Sequence, residues 1–204
     1  PPHHSSAASD VYKRQDQIGA SAAGQLPKGF DPSSLYPARQ HPKALQMTIF
    51  GMGDALGQLG VDWKIIQEKI APDEIAVFSG AAIGQLDGFG FGGLMQSRSK
   101  GSRASSKNLA LGLVEMSADF INAYILGSVG RTGHVVGACA TFLYNLQMGK
   151  EAIESGSARF VVVGGAEAPI TPEIVDGFYA MSALSDDKRT VSYTHLTLPT
   201  SGGG

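Results

Sequence analysis

The sequence predicts an α/β fold built in layers. Two short all-apolar runs, Ile75-Ala76-Val77-Phe78 and Phe160-Val161-Val162-Val163, show no alternation, the pattern of strands covered on both faces. Longer segments at helical spacing separate and precede them, the clearest being Leu109 to Leu126 and Ala140 to Ser155. The chain has 204 residues, 43% of them hydrophobic, and a net charge of −2, which suits one domain with a substantial core.

In order along the chain, residues 16–44 are rich in Pro, Gly and Ala and read as loop. Thr48 to Leu59 has a small-residue helical pattern ending near Gly60. A second helix is expected from Trp63 to Ile70, closed by Pro72. The run from Ile75 reads as a buried strand ending at Ser79-Gly80, followed by a Gly-rich loop to Gly93. His134 to Gly137 is a short strand candidate. In the helix from Ala140 to Ser155, Leu143, Leu146, Ile153 and small residues share one side, and Gly156 stops it.

Near-neutral charge points to no nucleic-acid or membrane-surface partner. No apolar run approaches the roughly 20 residues that span a bilayer. The first residues lack the apolar core of a secretory leader, so none is expected. One Cys excludes a disulfide framework and a multi-Cys metal site. No cofactor and no metal is expected.

The two ends read as foreign. Ser5 to Gln15 and Val191 to Thr200 resemble conceptual translations of transposase sequencing adapters, and Gly202-Gly203-Gly204 fits a read into poly-G. Residues 1–15 and 191–204 are therefore expected to be non-native, with residues 16–190 the genuine segment of a longer protein. That removes His3, His4 and His195 from consideration and leaves His41 and His134.

The chemistry centres on Val135-Val136-Gly137-Ala138-Cys139-Ala140-Thr141. A strand ends, small residues turn, and a helix begins at or just after the Cys. A thiolate there is stabilised by the helix dipole and by free backbone N–H groups, which can also hold an oxyanion. On this local pattern Cys139 is equally well read as a thiol filling space beneath the helix.

Gly137-Ala138-Cys139-Ala140-Thr141 resembles the active-site segment of β-ketoacyl-ACP synthases I and II. Further segments resemble the family in the same order: Phe30-Asp31-Pro32; Ile153 and Gly156 followed by Phe160 to Glu167, with Arg159 in place of the usual Asp; and Thr171-Pro172 followed by Gly177 to Ser185. Thr132-Gly133 stands where Gly-Pro is more typical. The resemblance implies a thiolase-like layered fold, with this chain holding most of the N-terminal half as a mixed sheet covered by helices. It implies a cytoplasmic, homodimeric acyltransferase of fatty acid biosynthesis. Cys139 would be the catalytic nucleophile, its backbone N–H would supply half of the oxyanion hole, and acyl carrier protein would be the partner. The family's two histidines and lysine come far later in the chain, so a chain ending near Thr190 is expected to be inactive in condensation and to expose a surface meant for its missing half.

Gly90-Phe91-Gly92-Gly93 lacks the spacing and the Lys-Ser/Thr of a phosphate-binding loop and reads as a flexible surface or dimer-contact loop. Arg98, Lys100, Arg103 and Lys107 form a basic cluster; a solvated face is the ordinary reading, and docking of the acidic carrier protein through Arg98, Lys100 and Arg103 is the functional one. His134 reads as structural and His41 as solvated. Glu167 reads as a buried carboxylate with a hydrogen-bonding partner. Asp119 and Asp176 carry no role. The competing readings are a ketosynthase domain of a polyketide or polyunsaturated fatty-acid synthase, a non-catalytic chain-length factor, which Cys139 argues against, and a cysteine hydrolase using His134.

Overall fold

The computed structural model describes residues 28–32, 36–37 and 40–184; the flanks expected to be non-native, with His3, His4 and His195, lie outside them. The chain divides into two units, one of which is Lys28–Pro169.

At the centre of Lys28–Pro169 is β1, Ile75–Gly80, every residue of which is buried. Strands β2, Thr132–Gly133, and β3, Phe160–Gly165, flank it in the order β2-β1-β3. Both pairings are parallel: Val77 lies opposite Thr132, and Ile75 through Gly80 lie opposite Phe160 through Gly165. The α/β class holds, and the described part of the sheet is parallel rather than mixed. β3 is only half-buried, because it is the edge of the described sheet; the expected cover on both faces is realised by β1 alone.

Side chains on β1 alternate with period two between the faces. Ile75 and Val77 join Tyr36, Ile49, Met52, Ala118, Ile121 and Leu126 on one side. Ala76 and Phe78 join Ala152 and Ala158 on the other, with Met148 and Val161 packed against them. The first face is covered by α1, Lys43–Gln58, which starts five residues before the expected Thr48, directly after Pro42. Its buried residues Ala44, Leu45, Ile49 and Met52 form the inward stripe. Helix α2, Trp63–Lys69, is capped by Asp62, whose carboxylate accepts the Lys64 N–H at 3.0 Å.

Gly90 to Gly93 is not a flexible loop. Phe91–Met95 is a short helix, α3, and the Phe91 N–H donates to the Gln85 carbonyl at 2.7 Å. Asn108 Nδ2 donates to the Gly88 and Gly90 carbonyls.

The expected helix from Leu109 to Leu126 is broken. Ser106–Gly112 forms α4 and Met116–Ile121 forms α5, and a π-helical turn Asn122–Leu126 completes the second piece; the two pieces are bent by 97°. The cause is competition for carbonyls. The strap leaving β1 takes two that a continuous helix would use: Ala81 N–H donates to Val114 O at 3.1 Å and Gln85 N–H to Gly112 O at 3.3 Å. Among the described residues, no single helix is long and apolar enough to cross a membrane.

Helix α6, Thr141–Glu154, covers the second face, with the side that bears Leu143, Leu146 and Ile153 turned away from the sheet. Leu143 is 62% exposed, and Leu146 and Ile153 are each 47% exposed. The inward residues are Thr141, Asn145, Gly149 and Ala152. Small residues face the sheet because the axis approaches it closely: a Cβ on Gly149 would sit 2.7 Å from Val163 Cγ2. In the second unit, α7 spans Pro172–Ala180, with Pro in its first turn.

His41 is not a solvated loop residue. Its ring meets Phe120 edge-on at 5.0 Å between centroids and lies 5.5 Å from Tyr36 and 5.8 Å from Tyr124. Burial disfavours the imidazolium and lowers its pKa from the ordinary 6.5. Between the two values the folded ring binds fewer protons than the unfolded one, so stability is full above 6.5 and is lost as pH falls through 6.5 toward the lowered value. Urea titrations at pH 7.5 and 5.5 should show weaker folding at 5.5, with a smaller difference in His41→Phe; an equal difference in both proteins would clear His41 of the effect.

Candidate functional site

Parallel strands end at one edge of their sheet. α6 joins β2 to the parallel β3 and must run back along the sheet, so its N-terminus lies at that same carboxyl edge. Crevices outside carboxyl ends of parallel strands are where such sheets place ligands. Residues 134–140, which link β2 to α6, cross this edge and carry Cys139.

The strand expected from His134 ends instead at Gly133, so His134 begins the linking strap. Its Nε2 lies 3.0 Å from the Ala81 carbonyl oxygen. A carbonyl only accepts, so Nε2 carries the proton and Nδ1 is bare. Nδ1 then accepts from Asn145 Nδ2 at 3.4 Å. Both ring nitrogens are occupied by the core, which agrees with a structural His134 and removes it as the base of a cysteine hydrolase. The ring lies against β1 where a Cβ on Gly80 would be 2.2 Å from it.

Asn145 is fully buried on the inner side of α6. Its Oδ1 accepts the Val135 N–H at 3.1 Å, and its Nδ2 donates to the Gly164 carbonyl of β3 at 3.2 Å as well as to His134. One turn earlier, Thr141 Oγ1 accepts the Gly137 N–H at 3.0 Å and donates to the Ala138 carbonyl at 2.7 Å. The sequence reading missed both residues. The available signal was two polar residues four apart, at the head of a helix scored only for its apolar stripe.

The turn itself is tight. Ala140 N–H donates to the Gly137 carbonyl at 2.9 Å, and Ala138–Ala140 forms a 3₁₀ turn before α6 begins at Thr141. Ala138 sits in the left-handed region at φ 49°, which costs a non-glycine residue about 1–2 kcal/mol. Cys139 is exposed at the top of this turn. Among the described residues the thiol is therefore not packed beneath the helix. The Cys139 N–H has no hydrogen-bond acceptor among the described residues. The arrangement therefore presents a thiol and a backbone donor together, next to the first turn of a 14-residue helix.

Other sequence-singled residues lie apart from this turn. Glu167 is exposed rather than buried, yet its carboxylate accepts the Ala82 N–H and ties the strap after β3 to the strap after β1. Arg98, Lys100 and Arg103 are exposed and form no ion pair among the described residues, while Lys107 Nζ donates to Gln40 Oε1 at 3.2 Å. Asp119 and Asp176 are exposed. Arg159, at the position where the family motif has Asp, donates to the Lys69 carbonyl and pairs with Glu74 at 3.4 Å.

The parallel α/β/α unit with a cysteine on the turn between the sheet's carboxyl edge and a helix is the architecture of thiolase-like ketosynthases, whose solved structures it matches. The chain belongs to the family described as beta-ketoacyl synthase, N-terminal domain, whose model matches residues 6–195. It is 58% identical over 171 residues to beta-ketoacyl-[acyl-carrier-protein] synthase FabY of Pseudomonas aeruginosa, covering 84% of this chain and 27% of that protein. It is 32% identical over 155 residues to 3-oxoacyl-[acyl-carrier-protein] synthase 2 of Staphylococcus aureus, covering 75% of this chain and 37% of that one. The crystal structure of the ketosynthase FabY from P. aeruginosa superposes with a TM-score of 0.76, covering 80% of this chain and 26% of that chain. A beta-ketoacyl synthase from Burkholderia phymatum shares the fold at a TM-score of 0.62 and 17% identity, covering 87% and 43%. The chain thus spans about a quarter to two fifths of the length of these relatives.

The strain at Ala138 gives a direct test of the turn. Ala138→Gly should hold stability within about 1 kcal/mol, because relief at positive φ offsets the added chain entropy. Ala138→Val should cost roughly 1–3 kcal/mol, since a β-branched residue is least tolerated there. Urea unfolding checks both; a Val variant as stable as the wild type would show that the turn is not left-handed at this position.

Proposed function

We propose that this chain is the nucleophile-bearing part of a 3-oxoacyl-[acyl-carrier-protein] synthase of fatty acid biosynthesis. The observation that carries the reading is the exposed Cys139 on a strained turn at the head of α6, within a segment of the family's active-site type. In the whole protein, Cys139 Sγ attacks the carbonyl of an acyl thioester on the carrier protein. The carrier thiol leaves and the acyl group stays on the Cys. A malonyl thioester on a second carrier then loses CO₂, and its carbanion attacks the acyl-Cys139 carbonyl. The C–S bond breaks, the β-ketoacyl chain departs on the carrier, and the Cys139 thiolate is restored. The Cys139 N–H serves as one donor to the oxyanion formed in each attack.

The exposed apolar side of α6, with Leu143, Leu146 and Ile153, supports the second part of the reading, that this unit packs against a further layer in the whole enzyme; that the whole is homodimeric and cytoplasmic is what the family resemblance implies. Arg98, Lys100 and Arg103, exposed and without ion pairs among the described residues, suit an acidic carrier protein.

Cys139 is the only Cys in the sequence, so a covalent adduct is assigned without mapping. Incubation with an acyl-pantetheine thioester should add one acyl group by intact mass, and Cys139→Ala should add none. Labelling of Cys139 by iodoacetamide without any acylation would reject the nucleophile. In the whole enzyme, replacing Arg98, Lys100 and Arg103 by Ser should raise KM for acyl carrier protein several-fold with little change in kcat, and the difference should shrink as salt is added; an unchanged KM would move docking elsewhere.

A further inference from the structure

The strap that carries Cys139 is not held by the sheet. β2 is two residues long and ends at Gly133, so the backbone from His134 to Ala138 has left the strand ladder. What holds it comes from α6: Thr141 takes the Gly137 N–H and the Ala138 carbonyl, and Asn145 takes the Val135 N–H. Asn145 differs from Thr141 in reach. Its amide also donates to Gly164 on β3 and to His134, whose far nitrogen is held by Ala81 after β1. One side chain thus links the strap, the helix, the β3 end and, through His134, the β1 end. It is fully buried, where an amide is costly unless every polar atom is used, and Oδ1 and Nδ2 both are.

We infer that Asn145 is a positioning residue for the Cys139 reaction: its buried amide sets the strap against the sheet and so fixes where the Cys139 thiol and N–H stand. The inference rests on the reading of Cys139 as nucleophile. Acylation by a thioester passes through an oxyanion and needs the thiol and the donor correctly placed. Alkylation by iodoacetamide is a simple displacement and does not use the donor. The ratio of the two rates therefore reports placement apart from exposure of the thiol.

The test uses the full chain and two variants. Asn145→Asp keeps an acceptor for the Val135 N–H and loses the donors to Gly164 and His134. Asn145→Leu is of similar volume and loses every bond. Both rates are measured with acyl-pantetheine and iodoacetamide, beside Tm for each protein. The expected result is an acylation-to-alkylation ratio at least tenfold lower in both variants, with alkylation within about twofold of wild type, and more residual acylation in Asn145→Asp than in Asn145→Leu. An unchanged ratio in folded variants overturns the inference, as does loss of the fold in both, which would make Asn145 a core residue only. If the wild type is alkylated but never acylated, the nucleophile reading fails by itself. Asn145 is then judged by the His134 ring nitrogens and the Ala138 and Cys139 amide signals in NMR spectra: a changed His134 tautomer in Asn145→Asp with displaced turn amides supports it, and unchanged signals overturn it.

Discussion

Strand β1 is the constraint on which the rest of Lys28–Pro169 is arranged. Its six residues are buried, and it has a parallel partner on each side: β3 along all six residues and β2 at Val77 and Phe78. Parallel partners require crossovers, and the crossovers supply α5 on one face and α6 on the other, while α1, which precedes β1, completes the first face. The same geometry gathers the carboxyl ends of all three strands at one edge. Ser79-Gly80, His134 and Gly164 meet there, and the head of α6 is brought to them.

Packing α6 against that sheet has a chemical consequence. Close approach favours small residues inward, and at Gly149 even a Cβ would press on the Val163 and Val161 methyl groups and force them to shift. With the small residues inward, the large apolar ones point away, and the inner stripe has space for Thr141 and Asn145. Those two polar residues sit within the first turn and a half, where the strap before Cys139 has unpaired backbone groups. The helix thus contributes its dipole and free N–H groups at the turn, and two side chains that shape it. Ala138 at positive φ is tolerated because bonds on both sides of it are fixed from the helix.

The polar ties at this edge form one connected set. Ala81, His134, Asn145, Val135 and Gly164 are joined by bonds of 3.0–3.4 Å, and Glu167 joins the straps after β1 and β3 a little further out. In a low-dielectric setting such bonds are stronger individually and also more costly to lose singly. Conformational exactness at Cys139 therefore rests on buried amide and imidazole groups rather than on exposed ion pairs. The ion pairs among the described residues, Lys150–Glu154 and Arg159–Glu74, lie on the surface, where each contributes little.

The residues that local pattern reveals are those whose environment is set by their neighbours in sequence. The apolar runs at Ile75 and Phe160, the helix stopping at Gly156 and the small-residue turn at Cys139 belong here, because burial, capping and turning are short-range demands. Cys139 as a candidate nucleophile was legible for that reason, although its exposure was not. What the sequence could not indicate depends on partners far along the chain. The break in the helix after Leu109 arises from carbonyls taken by the strap after β1, about 30 residues earlier in the chain, as the bonds of Ala81 and Gln85 record. Which side of α6 faces the sheet was not legible, because apolar periodicity marks a stripe that seeks cover, whichever layer provides it. His41 was misread because its aromatic neighbours Phe120 and Tyr124 arrive from α5 and the turn after it. The sequence by itself determined the class of fold and the turn that bears Cys139; only tertiary structure decided that Asn145 and His134 hold that turn, since hydrogen bonds to a buried amide depend on which backbone groups three separate strands leave unpaired at their shared edge.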